Sequence, residues 1–123
     1  MADVVEKELS YKICGAAFKV RDELGYGFLE KVYENALAIA IGEAGLLVEQ
    51  QVPMQVLFHG QLVGTYIADL LVEGRIIVEV KATEQITKAH VAQTLNYLKA
   101  TGLKLGIILN FNKIKVDVER IVL

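Results

Sequence analysis

Three charged residues stand inside otherwise apolar, strand-like sequence. They are Asp69, Glu79 and Lys81, in the run Tyr66-Ile67-Ala68-Asp69-Leu70-Leu71-Val72-Glu73-Gly74-Arg75-Ile76-Ile77-Val78-Glu79-Val80-Lys81. Burying or half-burying such groups is costly unless they pair or hold an ion. Two carboxylates within reach of one another suit a hard divalent cation. An adjacent ammonium suits a developing anion or an attacking water.

Whether the three meet depends on the turn between the two strands. A three-residue loop, Val72-Glu73-Gly74, with Gly74 in the left-handed conformation, is a common bulged hairpin. That register sets Leu71 against Arg75 and Asp69 against Ile77. Asp69, Ile77, Glu79 and Lys81 then share one face, and Ala68, Leu70, Ile76, Val78 and Val80 form an apolar opposite face. Asp69 and Glu79 would lie diagonally across the hairpin, about 7 Å apart at Cβ. A two-residue loop would instead put Asp69 on the face opposite Glu79. The competing, purely structural reading is a half-buried ion pair of Lys81 with Glu79 or Asp69.

Two further groups could serve the same chemistry. Glu30 and Tyr33, three residues apart, project from one side of a helix, with Glu34 beside them. Glu30 falls in the first helical turn, where the helix dipole favours a carboxylate. His90, Gln93 and Tyr97 make a polar stripe on a later helix, next to the apolar stripe of Val91, Leu95 and Leu98. A solvated helix face and a structural histidine explain these residues equally simply. Cys14 lies in an apolar helix and reads as a small core residue, not a nucleophile.

The elements that must position these groups follow from hydrophobic period. Val5, Leu9, Ile13, Ala16, Ala17, Val20 and Leu24 predict a first helix, ended at Gly25-Tyr26-Gly27. A second runs from about Phe28 to Gly45, with Leu29, Val32, Ala36, Ala40 and Ala44 toward a core. Val48 to Phe58 reads as a strand on which Pro53 signals an edge or a bulge. His59-Gly60 turns it into Leu62 to Val72, and Arg75 to Ala82 is the next strand. A helix follows between Thr83 and Gly102, then strands at Leu105 to Phe111 and Ile114 to Val122. The order ααβββαββ predicts an α/β fold with helices flanking one mixed β-sheet, in one domain spanning residues 1–123.

Composition agrees with a compact fold. The 123 residues are 54% hydrophobic and 23% charged, with one Pro and one Cys. A chain this size buries roughly two-thirds of its unfolded surface, enough for a core. The hydrophobic content excludes a disordered chain. A lone cysteine allows no internal disulfide, no apolar run reaches the ~18 residues of a membrane span, and a cytoplasmic location is expected. Thirteen Lys and Arg against fifteen Asp and Glu give a net charge of −2. Binding along a long stretch of nucleic acid usually needs a basic excess, so any such site here is local or metal-assisted.

Several ordered motifs resemble one family. Gly27-Phe28-Leu29-Glu30-Lys31-Val32-Tyr33 has the form of the signature that names the GxxExxY proteins, a small bacterial and archaeal group of the PD-(D/E)xK nuclease superfamily. The resemblance continues through Ile67 to Val72, Ile77 to Ala82, His90 to Gln93, Asn96 to Leu98 and Gly102 to Gly106. It implies a restriction-endonuclease-like core. It also implies catalytic Asp69, Glu79 and Lys81, a metal held by Asp69 and Glu79 with Glu30 completing the set, and support from Tyr33, Gln93 and Tyr97. Ala68 stands where the superfamily's name has Pro.

The leading functional expectation is therefore a nuclease using Mg²⁺ or Mn²⁺ to hydrolyse phosphodiester bonds in nucleic acid, with DNA favoured over RNA. The alternative is a catalytically silent module of the same fold that binds a metal or a protein partner. The apolar first helix and the end Ile121-Val122-Leu123 offer a face for a homodimer.

Overall fold

The computed structural model describes residues 5–123. Helices α1 (Lys7–Leu24) and α2 (Glu30–Glu43) come first, followed by β1 (Val48–Phe58), β2 (Gln61–Val72) and β3 (Ile76–Lys81). Helix α3 (Lys88–Thr101), β4 (Leu105–Phe111) and β5 (Val116–Val122) complete the chain. The five strands form one sheet in the order β1-β2-β3-β4-β5, with β3 and β4 parallel and the other pairs antiparallel. This is the expected ααβββαββ order, a mixed sheet flanked by helices as in a restriction-endonuclease-like core. β3, α3 and β4 form a parallel crossover, which carries α3 to one face of the sheet.

The sheet has a different core on each side. Ile13, Ala17 and Val20 of α1 and Tyr33, Leu37 and Ile41 of α2 pack on Leu70, Val72, Ile76, Val78 and Val80. On the other side Leu98 of α3, with Val91 and Leu95, packs on Tyr66, Ala68, Ile77, Ile108 and Ile121.

The buried stripe of α2 departs from expectation. Leu29 is 80% exposed and Val32 is on the surface, while Tyr33, Leu37 and Ile41 are fully buried. Apolar residues of α2 fall on two competing stripes, and the one with larger side chains removes more area from water. Tyr33 is thereby turned into the core. Its ring stacks on Phe111 with centroids 4.5 Å apart, and its hydroxyl donates to the carbonyl of Gly25 at 2.6 Å.

The β2–β3 turn also differs, by two residues. Glu73 and Gly74 both have positive φ (54° and 65°), and the N–H of Arg75 donates to the carbonyl of Val72 at 3.0 Å. Leu71 therefore faces Ile77 instead of Arg75, and Val72 faces Ile76. The left-handed Glu73 is held by its own side chain, which accepts from the N–H of Leu47 at 2.6 Å. A shift of two preserves the parity of every side chain, so the faces of β3 stay as expected.

Pairing of β2 with β3 stops at Leu70–Val78, and there β2 leaves its neighbour. Past that point Ala68 and Tyr66 pack on the α3 side, although Leu70 and Val72 point to α1 and α2. Ala68 thus does not share the apolar face of Leu70, as a straight strand would require. The partner strand β1 is an edge, as Pro53 signalled. Its register shift falls at Val56/Leu57, and Gln51 has a left-handed φ of 53°.

Candidate functional site

The divergence of β2 from β3 creates a cleft of about 240 Å³ between the sheet, α3 and the start of α2. Asp69 of β2, Glu79 and Lys81 of β3, and Glu30, the first residue of α2, line it. Gln93 and Tyr97 line it from α3. Tyr33, expected beside Glu30, is in the core and does not reach the cleft.

Asp69 sits at the branch point. Where β2 no longer offers a backbone carbonyl, the Asp69 carboxylate accepts from the N–H of Val80 at 2.9 Å. The side chain thus continues the ladder for one more step. Burial raises the Asp69 pKa above the usual carboxylate value, the Val80 N–H opposes this, and the nearby Glu34 charge adds to the rise.

Glu79 is more constrained. Its side chain is buried, and Oε1 has no hydrogen-bond partner. Burial lifts its pKa from 4.5 to about 7, against the opposing charge of Lys81 and with repulsion from Glu30 and Glu34 adding to the rise. Glu30 is shifted upward as well, chiefly by loss of hydration, with Lys81 opposing and Asp69 and Glu34 adding. Three carboxyl groups therefore share one electrostatic environment. Among the described residues no carboxylate comes within 4.0 Å of the Lys81 ammonium, so the simple ion-pair reading lacks its contact.

Helix α3 approaches the sheet closely enough to form the second wall because of Gly106 on β4. A Cβ there would lie 2.7 Å from Cγ2 of Thr94. The amide of Gln93 and the hydroxyl of Tyr97 lie 3.3 Å apart and hydrogen bond, and Tyr97 stacks on Tyr66 with centroids 3.5 Å apart. His90 is a cap. Its Nδ1 accepts from the N–H of Thr87, and Thr87 Oγ1 accepts from the N–H of His90, each at 3.1 Å. Burial and the charge of Lys81 lower the His90 pKa, consistent with a neutral ring in that role.

Sequence reasoning overlooked one neighbour of this cleft, Tyr66, and placed another, Glu34, on a solvated helix face. Tyr66 is buried with an unpartnered hydroxyl, a placement that depends on β2 crossing to the α3 side. Glu34, also buried, accepts from Lys31 at 2.9 Å, Gln50 at 2.8 Å and Gln51 at 3.0 Å. The two donors from β1, Gln50 and Gln51, anchor that strand to α2. The Gln50-Gln51 pair facing an acidic helix was the available signal. Cys14, expected in the core, is half-buried and lines a groove of α1 instead, and burial raises its thiol pKa, as befits an inert thiol.

The donor set suits a hard cation. Its candidate ligands are the carboxylate oxygens of Asp69, Glu79 and Glu30; the His90 ring also lines the cleft, with Nδ1 taken up by the cap to Thr87. The orphaned Oε1 of Glu79 is the oxygen that such an ion would satisfy. Among the described residues no three His, Cys, Asp or Glu side chains close into a cage. Magnesium-type ions accept that, since they usually keep several waters.

A family model described as the PD-(D/E)XK nuclease superfamily matches residues 7–121. No curated protein and no solved structure matches the chain. Asp69, Glu79 and Lys81, spaced as D…ExK on two diverging strands of a mixed sheet, lie within the matched region. The chain belongs to the PD-(D/E)XK nuclease superfamily.

Proposed function

We propose that the protein is a metal-dependent nuclease that hydrolyses phosphodiester bonds, acting as a single domain on DNA in the cytoplasm. The observation that carries this reading is Glu79. A carboxylate oxygen left buried without a donor is destabilising, and here it faces a polar cleft shared with Asp69 and Lys81. Asp69 and Glu79 would hold the ion, with Glu30 reaching in from α2. When bound, Mg²⁺ or Mn²⁺ supplies Lewis acidity and a water that ionises near neutral pH.

The remaining steps fall to the side chains. Lys81, free of a carboxylate contact, orients the attacking water and balances charge gathering on the phosphoryl oxygens. Gln93 and Tyr97, already hydrogen bonded to one another, offer donors to a non-bridging phosphate oxygen. Tyr66, stacked beneath Tyr97, fixes the plane of that ring.

The G-x-x-E-x-x-Y stretch supports membership of the GxxExxY group. Gly27, at φ 110°, turns the chain, Glu30 opens α2 at the cleft, and Tyr33 ties the helix start to Gly25 from within the core. The groove of α1 and β5 lined by Tyr11, Cys14 and Arg120 supports a homodimer, which light scattering would test directly.

The decisive assay is cleavage of labelled DNA in Mg²⁺ or Mn²⁺, stopped by chelation. Lys81→Ala should lower the rate by about a hundredfold or more while leaving Mn²⁺ binding in calorimetry intact. Unchanged cleavage by that variant, or none by the unaltered protein, would overturn the reading. Metal binding without cleavage would leave a silent binding module.

A further inference from the structure

Beyond Lys81 the chain bends out of β3 through Ala82, Thr83 and Glu84, and this bend also borders a second cavity of about 440 Å³. Tyr26, from the loop between α1 and α2, forms another wall, and Asn112, Lys113 and Ile114, from the β4–β5 turn, form a third. Lys81 lines the catalytic cleft, and Ala82, which packs toward the α1 and α2 side, lines this cavity, so the two adjoin at the end of β3. Its size falls within the roughly 300–1,000 Å³ of small-ligand pockets.

All three walls are fixed in place. Asn110, fully buried, donates to the carbonyl of Thr83 at 2.9 Å and accepts from its N–H at 2.8 Å. Arg21 donates to the carbonyl of Lys113 at 3.0 Å, and the Asn112 side chain accepts from the N–H groups of Ile114 and Lys115, both at 2.9 Å. The Tyr33 hydroxyl holds Gly25, next to Tyr26. The same buried amide also donates to Asp117 at 3.3 Å, so the bend is tied through Asn110 to β5 as well as to β4.

What the fixed walls present is specific. Tyr26 is 58% exposed, Ile114 is 86% exposed, and Lys113 is exposed and makes no ion pair with a described residue. An open aromatic face, an aliphatic side chain and a lysine are what a nucleobase and its phosphate need, since every base has a stacking face. Glu84, in the same cavity, repels phosphate and accepts from an exocyclic amino group, which sets the base inward and the backbone toward Lys113. A base inside a duplex is already stacked on its neighbours and cannot enter such a slot.

Resting on the nuclease reading, we infer that this cavity receives an unstacked nucleobase of the strand whose phosphodiester lies at Lys81. The substrate class is then single-stranded nucleic acid, or the single-stranded arm of a branched one.

The test is fluorescence anisotropy in Ca²⁺, with a labelled single-stranded DNA, its duplex, and the same strand carrying abasic positions. The intact single strand should bind about tenfold more tightly than the other two, and Tyr26→Ala should remove about that factor while Tyr26→Phe keeps it. Tyr26 is on the surface, so an unchanged melting temperature certifies the variants. Equal binding of single strand and duplex, or binding indifferent to Tyr26→Ala, overturns this inference. If Lys81→Ala still abolishes cleavage in that case, the nuclease reading stands without it. Absence of both binding and cleavage in the unaltered protein overturns both.

Discussion

The carboxylate of Asp69 accepts a hydrogen bond from the backbone N–H of Val80 at 2.9 Å, at the place where β2 parts from β3. One side chain thus closes a gap in the sheet and stands at the head of the cleft. Its structural and chemical contributions can be separated by substitution.

Asp69→Asn keeps an oxygen acceptor for Val80 but loses the charge, so stability should change little while Mn²⁺ affinity falls at least tenfold. Asp69→Ala leaves the Val80 N–H without its partner and should cost about 1–3 kcal/mol. Denaturant unfolding of both variants, with calorimetric titration of the first, checks the pair. Equal destabilisation would mean that the hydrogen bond contributes nothing.

The metal-free protein should lose stability as pH rises from about 4.5 to about 7. Glu79 has a folded pKa of about 7 against 4.5 for an unperturbed carboxyl, so the folded state holds its proton more tightly than the unfolded chain. The contribution is complete below 4.5 and lost as pH passes through 7. Its size is on the order of 3 kcal/mol. Asp69 and Glu30, raised in the same sense, act in the same direction. Melting temperatures in chelator across this range should decline, and Glu79→Gln should flatten the decline. An equally steep decline in the variant would refute the assignment to Glu79.

Gly106→Val should push α3 off the sheet. Even a single methyl at this position would lie 2.7 Å from Thr94. Destabilisation of about 1–3 kcal/mol is expected. Cleavage should fall further than the loss of folded protein explains, because Gln93 and Tyr97 ride on α3. Activity per folded molecule, from circular dichroism and initial rates, is the readout.

His90→Ala should lower stability by about 1 kcal/mol through loss of the cap with Thr87, and spare most of the cleavage rate. A rate loss comparable to that of Lys81→Ala would instead make His90 part of the chemistry.

Much of the cleft was legible in the hairpin because side-chain parity survives a shift of two residues. The turn formed with Glu73 and Gly74 both left-handed, yet Glu79 and Lys81 kept their face. Helix α2 was less legible. Leu29 and Val32 matched a helical stripe as well as Tyr33, Leu37 and Ile41 did, and only the bulk of the latter decided which went inside. Tyr66 was hidden because local alternation places it with Leu70. The crossing of β2 to the α3 side is a long-range event, set by where pairing with β3 ends. Glu34 was named beside Glu30, but its burial was hidden, because a buried carboxylate is recognised by its donors, and Gln50 and Gln51 come from another element.

The irregular course of β1 has a consequence for self-assembly. An eleven-residue edge strand exposes a row of backbone groups on which another chain could build a further strand. Pro53 contributes no N–H to such a ladder, and two residues earlier the left-handed backbone of Gln51 turns its peptide groups out of line. A strand laid along β1 would therefore meet two interruptions within three residues. The local kink from which Gln51 reaches Glu34 also protects the sheet from edge-to-edge aggregation.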